Sequence, residues 1–483
     1  MHNQEENKKI VTRYAPSPTG FQHVGGIRTA IYAWAWARKN NGTFILRIED
    51  TDKEREVEGA IPHAIECLKW LGINWDEGVD IGGPNAPYLQ SERLESYKKY
   101  AQILIEKGHA YPDPYSEEEV ASFRKQAEDE KRAFLYRDHR PATLEVWDGT
   151  KPLRFKVPEI KSYTWNDAVR GELTAGPEAL DDFILIKTDG YPTYNFAHII
   201  DDLEMGVTHI MRADEFIAST PKFLSLYDAL EITPPVLVTL PPILGTEGTK
   251  KLSKRDGAKD ILEYKNEGYL PDAMVNFLAL IGWNPGGDKE IFSKEEFVQA
   301  FDISRIHKSG AMFNEEKLEW VNKEHMKKRT EEENLAGIKP YLSGYKDDVL
   351  KRMLPMVIER ITHYGQISAV EKDEFAFFKE NPIYDKEKLL WKDVPSNALS
   401  MHLSYIAGLL KDMDMTSVES IKAAIFPYAE EKGKGDVLWP LRVALSGKEK
   451  SADPFTLLYV LGKDESLLRI TQALALLASF PSS

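Results

Sequence analysis

Two stretches of this sequence combine residue types suited to phosphate. The first is Ala15-Pro16-Ser17-Pro18-Thr19-Gly20-Phe21-Gln22-His23-Val24-Gly25-Gly26. Gly25 and Gly26 let backbone approach a ligand closely, and free N–H groups at a helix start favour an anion. His23 adds an imidazole that could donate to a phosphate. No Gly-Lys-Ser/Thr follows, so this is not a Walker loop, and it is not GxGxxG either. On residue types alone it reads first as ordinary turn chemistry. The second stretch is Thr249-Lys250-Lys251-Leu252-Ser253-Lys254-Arg255-Asp256-Gly257, with four cations in six residues. Ammonium groups there can follow charge that develops on phosphate oxygens during transfer. Taken alone, it also reads as a solvated basic loop.

The first loop needs a strand before it and a helix after it. Ile10, Val11 and Thr12 are β-branched and lead into Arg13 and Tyr14. After the loop, Ile27, Ala30, Ile31 and Trp34 fall at helical spacing, and Asn40-Asn41-Gly42 stops that helix. Phe44, Ile45, Leu46 and Ile48 predict a buried strand ending at Glu49-Asp50. Such a βαβ unit predicts a parallel sheet with its ligands at the carboxyl ends of the strands. Helices are expected over about 56–72 and 91–108, and from Glu117 to Arg132. Short strands are expected around Leu153–Phe155, Phe183–Ile186 and Val236–Val238. The region from about 111 to 190 reads as an insertion between two halves of one sheet. Beyond about 320 nearly everything reads as helix, including Leu467 to Leu477.

At 483 residues the chain has room for several domains of ~100–200 residues each. Its 42% hydrophobic and 29% charged residues are those of a globular protein and exclude a mainly disordered one. The net charge of −15 argues against a binder that holds nucleic acid by overall charge, but it allows a local basic groove. No apolar run reaches the ~18 residues of a membrane span. The opening MHNQEENKKI has no secretory apolar core, so a cytoplasmic enzyme is expected. Cys67 is the only cysteine, which excludes a disulfide framework. It falls in an amphipathic stretch and reads as a core residue; Trp34 and Trp36 read as packing. Asp50-Thr51-Asp52 reads as a helix cap rather than a group that orients substrate.

Taken as a pair, the His-x-Gly loop and the Lys-x-Ser-Lys loop some 230 residues later match class I aminoacyl-tRNA synthetases. The stretch RYAPSPTGFQHVGGIRTAIYAWAWARKNNGTFILRIEDTD (13–52) resembles the opening of a bacterial-type glutamyl-tRNA synthetase. The resemblance continues in YLQSERLESYKKYAQILIEKGHAY, GYPTYNFAHIIDDLEMGVTHIMRADE, KKLSKRDG, GYLPDAMVNFLALIGW and VLWPLRVAL, in that order. It therefore covers nearly the whole chain. Three departures stand out. Gly26 replaces the second His of many class I enzymes, as in other glutamyl enzymes. The cysteines that hold zinc in some relatives are missing after Tyr111. His198 stands where relatives have Asn.

The resemblance implies an α/β fold: a Rossmann-like catalytic domain with an inserted α+β acceptor-binding domain, followed by an all-helical anticodon-binding region. The implied boundaries are 1–110 for the first catalytic half, 111–190 for the insertion and 191–260 for the second half. A stem-contact region over 261–325 and the helical region over 326–483 complete it. The implied reaction joins glutamate to the 3′-terminal adenosine of tRNA-Glu through glutamyl-adenylate, with ATP and Mg2+ and no zinc. Arg13 and Arg212 would clamp the substrate γ-carboxylate, with Tyr194, His198 and Ala15 beside it. Glu49 and Ser17 would take the ammonium. His23, Gly25 and Gly26 would face ATP, with Lys251 and Lys254 on its phosphates and Ser253 ordering their loop. Glu215 would meet adenosine or the tRNA 3′ end. A monomer is expected, and charging of tRNA-Gln is left open. The weighed alternatives are a glutaminyl-type synthetase, a truncated paralogue that modifies tRNA, and a tRNA-binding paralogue without catalysis. Glutaminyl enzymes carry Pro-Glu-Pro-Asn-Gly in the first loop, and the truncated form lacks a helical third.

Overall fold

The computed structural model describes residues 9–143, 145–245, 247–248, 250–252 and 259–479. Ser253, Lys254 and the rest of 253–258 lie outside the described residues. The chain divides into two compact units, 1–266 with 270–321, and 267–269 with 322–483.

In the first unit, β1 (Val11–Tyr14), α1 (Val24–Lys39) and β2 (Thr43–Leu46) form the expected βαβ opening. β1 and β2 run parallel, with Arg13 opposite Ile45. After α2 (Ala60–Leu71), β3 (Glu77–Gly78) extends the sheet on the β2 side. α1 is buried on all sides rather than along one stripe. The sheet covers one side, while Arg28 and Tyr32 on another donate to the Ile281 carbonyl at 3.1 and 2.9 Å. Gly42 ends the turn after α1 because a Cβ there would lie 2.3 Å from the Ile10 carbonyl oxygen.

α3 (Leu94–Glu106) leads into a separate antiparallel sheet. β4 (Ala110–Pro112), β5 (Leu153–Phe155) and β8 (Phe183–Ile186) form it in the order β4-β5-β8. α4 (Glu117–Asp129) opens with a Ser116–Glu119 capping box. Between β5 and β8 lies a hairpin of β6 (Tyr163–Asp167) and β7 (Gly171–Ala175), which the sequence pattern did not predict. Asp167 fixes it: one oxygen accepts from Val169 N at 2.9 Å and the other from Thr239 Oγ1 at 2.6 Å.

α5 (Tyr194–Glu204) returns the chain to the parallel layer, where β9 (His209–Ala213), α6 (Thr220–Leu230) and β10 (Val236–Leu240) follow. β9 and β10 pair in parallel, Arg212 opposite Thr239. Thr208 N donates to Val11 O at 2.9 Å, bringing β9 beside β1. Arg13 and Arg212 therefore stand near the carboxyl ends of neighbouring strands, where open α/β sheets bind ligands. A buried core of Tyr97, Phe155, Phe183, Phe196 and Phe223 joins α3, β5, β8, α5 and α6.

The second unit is helical. Leu399, Leu403, Ile406 and Leu410 line one face of the helix Ser396–Asp412 at four- and three-residue steps. This helix packs on the helix Lys463–Ala478, in which Ile470, Ala473 and Leu477 are buried. No helix among the described residues is long and apolar enough to cross a membrane.

Candidate active site

A cleft of about 1340 Å3 opens at the carboxyl ends of β1, β2 and β9. Arg13, Ala15, Ser17, His23, Gly25, Gly26, Glu49, Tyr194, Arg212, Glu215 and Lys251 all line it. These residues were expected at a site, and the fold brings them to one cleft although they span positions 13 to 251.

The floor is a buried ionic network. Arg13 Nε donates to Asp202 Oδ1 at 3.0 Å, and Arg47 Nη1 donates to the same oxygen at 2.8 Å. Arg47 Nη2 reaches Glu49 Oε1 at 3.2 Å. Asp201, next to Asp202 on α5, accepts from Arg93 at 2.7 Å and from Gln90 at 2.8 Å. Arg47, Asp201 and Asp202 are fully buried. Burial alone would raise the Asp202 carboxyl, but Arg13 and Arg47 outweigh it and hold it at about 2. Glu49 shifts the other way, because burial outweighs the pull of Arg47 and Arg13 and raises its carboxyl. Sequence reasoning missed Arg47, Asp201 and Asp202. The only sequence signal was charged residues inside buried-looking stretches.

Arg212 differs from the other arginines of the floor. It is 6% exposed, yet among the described residues it makes no ion pair. Nη2 donates to Thr220 Oγ1 at 3.0 Å, and the guanidinium lies 5.0 Å from the Phe223 ring centre and 5.7 Å from that of Phe216. Burial lowers its pKa, and neighbouring Arg13 lowers it further. Arg13, Arg47 and Arg93 share Asp202, Glu49 and Asp201, and Arg212 pairs with none of these carboxylates. Such an arrangement favours an anion that arrives from outside.

Tyr194 opens α5 and presents its ring to the cleft. Burial raises its phenol, which remains a donor. His198 lies one helical turn on and does not line the cleft. It is 1% exposed, its ring stacks on Tyr194 with centres 4.7 Å apart, and its Nδ1–H donates to the Tyr194 carbonyl at 2.7 Å. Burial lowers its pKa to about 3, so the ring is neutral at any working pH. The structure therefore puts His198 beside the pocket, stacked on Tyr194.

His23 is the N-cap of α1, and its Nδ1 accepts from Gly25 N at 3.1 Å. Gly26 is fixed by packing. A Cβ there would sit 2.9 Å from Tyr14 Oη and 3.3 Å from Gln22 Oε1, two atoms already hydrogen-bonded to each other. The Gly26 departure thus has a local cause in Tyr14 and Gln22. On the opposite side Lys251 pairs with Glu215, both about half exposed.

The expected cap at Asp50–Asp52 is not formed. Asp52 makes no capping hydrogen bond and pairs with Arg55, while Asp50 accepts from Ser91 N at 2.9 Å. Cys67 is buried in α2, and Trp36 packs against His209 and Phe301. After Tyr111, Asp113 is taken up by Arg154 at 2.6 Å and by the Tyr136 hydroxyl, and His139 stacks on Phe123 with ring centres 4.2 Å apart.

Comparison with known proteins matches these elements. Residues 9–320 match the family model described as tRNA synthetases class I (E and Q), catalytic domain. Residues 333–474 match an anticodon binding domain. A glutamate–tRNA ligase of Clostridium kluyveri is 40% identical over 96% of this chain and 97% of its own length. One from Carboxydothermus hydrogenoformans is 39% identical over 95% of this chain and 99% of its own. The crystal structure of a glutamate tRNA ligase from Elizabethkingia meningosepticum, in complex with its amino acid, superposes with a TM-score of 0.85. It is 35% identical and covers 97% of this chain and 99% of that one.

Proposed function

The chain belongs to the class I tRNA synthetases of the glutamate and glutamine type and is a glutamate–tRNA ligase; on that premise we propose how its cleft holds glutamate and ATP. The observation that carries this reading is that Arg212, buried and without an ion pair among the described residues, lines the same cleft as the buried carboxylate of Glu49. Glutamate has an anionic side-chain end and a cationic amino group. Its γ-carboxylate pairs with the Arg212 fork, with the Tyr194 hydroxyl and Arg13 beside it. Its ammonium meets Glu49 and Ser17. His198 takes no part in contact and serves to hold Tyr194 in place.

ATP lies along His23, Gly25 and Gly26 at the start of α1, whose N–H groups favour an anion. Lys251 exchanges Glu215 for phosphate, and Lys254 and Ser253 come from the same stretch. Among the described carboxylates at the mouth, Asp52 and Glu215 are held by Arg55 and Lys251. Mg2+ would arrive with the nucleotide and would neutralise charge on its phosphates.

The substrate α-carboxylate attacks the α-phosphorus in line. An O–P bond forms, the bond to the bridging oxygen breaks, and pyrophosphate leaves with that electron pair. The 2′-hydroxyl of the tRNA 3′-terminal adenosine then attacks the carbonyl carbon of glutamyl-adenylate; its proton is lost and AMP leaves. No side-chain nucleophile takes part. Positioning and charge stabilisation carry both steps. The enzyme works as a cytoplasmic monomer on tRNA-Glu.

Three measurements check this reading. The resemblance to glutamyl enzymes implies that tRNA binds before glutamate is activated, so pyrophosphate exchange with glutamate is expected near background without tRNA and strong with tRNA-Glu; strong exchange without tRNA would refute that order. Parallel charging of tRNA-Glu and tRNA-Gln transcripts with labelled glutamate gives the tRNA specificity. Lys254→Ala is expected to slow adenylation by roughly 10²–10³-fold, the scale of one lost stabilising donor, with a much smaller change in ATP affinity. Turnover near wild type would make the basic stretch a solvated loop.

A further measurement concerns pH. Glu49 must be ionised to hold the ammonium, and burial raises its carboxyl. Glutamate kcat/KM is therefore expected to fall, as the medium is acidified, at a pH above the ordinary carboxylate range. Glu49→Gln should lower the plateau and flatten that limb. A limb unchanged in the variant would assign it to another group.

A further inference from the structure

Outside the floor of the cleft, one polar cluster joins three segments. His63 lies in the first turn of α2, four residues before Cys67, and faces both the first loop and Asp260. Gln22 N donates to its Nδ1 at 3.3 Å, and its Nε2 lies 2.8 and 2.7 Å from the two Asp260 oxygens. The Phe21 ring stacks on the imidazole with centres 4.6 Å apart. The His63 side chain is 10% exposed and that of Asp260 19%. The Gln22 carbonyl accepts from Ile261 N at 3.1 Å, and Leu262 N donates to Asp260 Oδ1 at 2.8 Å.

Accepting from Gln22 leaves the His63 proton on Nε2, where it is given to Asp260. A metal ion would need the Nε2 lone pair and would force a proton onto Nδ1, facing the Gln22 N–H. Burial also pushes the neighbouring Cys67 thiol up, so it stays protonated. The cluster is therefore a hydrogen-bond strut and not a cation site.

We propose that His63 is a positioning residue for the ATP half-site: it clamps the Gln22–His23 backbone to Asp260, six residues past Lys254. Both peptide groups of Gln22 are held, the N–H by His63 and the carbonyl by Ile261. The next residue is His23, whose ring caps α1 beside the glycines. Removing His63 frees one side of that peptide and loosens the aim of His23, while Arg212, Glu49 and Tyr194 keep their supports. The proposal rests on the reading of His23 as an ATP contact.

The test is steady-state, tRNA-dependent pyrophosphate exchange by the full chain, with thermal midpoints recorded for each variant. His63→Ala is expected to lower kcat/KM for ATP about tenfold, the scale of one or two part-buried hydrogen bonds, and to change the glutamate KM less than about twofold. Asp260→Ala should cause a similar loss, and the double variant no more than either single one, because both break the same strut. His63→Gln, which keeps a donor for Asp260, and Asp260→Asn, which keeps an acceptor, should each recover more than half of the loss. If His63→Ala does not fold, these two variants and Asp260→Ala are compared in its place. Three results would overturn the proposal: ATP parameters unchanged, equal losses for ATP and glutamate with a lowered midpoint, or losses that add in the double variant. His23→Ala separates the two readings. If it leaves ATP parameters unaltered, the site assignment fails; if it impairs them while His63→Ala does not, only the positioning role fails.

Discussion

Arg212→Ala is expected to reduce kcat/KM for glutamate far more than for glutamine and to narrow a gap of ~10⁴-fold between them. Glutamine is nearly the same shape as glutamate, so the pocket cannot reject it by size. Rejection comes from charge. The guanidinium is buried and, among the described residues, donates to Thr220 Oγ1, lies against the Phe216 and Phe223 rings and makes no ion pair. An amide turned toward it either presents N–H groups to N–H groups or leaves the cation without an anion, at a cost of several kcal/mol. Arg212→Lys should recover only part of the loss, because Lys keeps the charge but not the fork. The measurement is kcat/KM for both amino acids in tRNA-dependent exchange. An unchanged ratio in Arg212→Ala would make Arg212 a structural residue.

Asp202→Ala is expected to destabilise the first unit by about 3–5 kcal/mol, the cost of leaving a buried charge unpaired. The variant removes the acceptor shared by Arg13 and Arg47, both of which stay buried. Glutamate kcat/KM should fall as well, because Arg13 loses the bond that aims it. Urea unfolding at several pH values reads the stability. The Asp202 carboxyl drops from its ordinary 3.8 to about 2 on folding, burial being outweighed by the two arginines. Its contribution is thus complete above the ordinary value and is lost as pH falls toward about 2. The variant should lack that part of the acid loss. A midpoint equal to that of the wild type would show that the arginines find other partners.

The sequence made the strand–loop–helix opening legible because its punctuation is local: β-branched residues, then Pro and Gly, then helical spacing. Arg13 and Arg212 were reachable only through resemblance, since nothing near either in sequence marks it. The ionic floor was not legible. Arg13 and Arg47 meet Asp202 across 189 and 155 residues, and only the folded sheet brings them together. The His63–Asp260 contact spans 197 residues and has the same explanation. His198 shows a different limit. Its spacing from Tyr194 gives the same helix face, but not which of two stacked rings stands in front. The hairpin at Tyr163–Ala175 was missed because its anchor, Asp167, has its partner Thr239 on a distant strand.

The ionic floor also has a consequence for heat. Fully buried Arg47, Asp201 and Asp202 gave up their water on folding. Hydration of charged groups becomes less favourable as temperature rises, whereas the gain per unit of apolar area levels off. On warming, the penalty for keeping those ions dry therefore shrinks while their mutual attraction persists. The base of the cleft therefore loses comparatively little on heating.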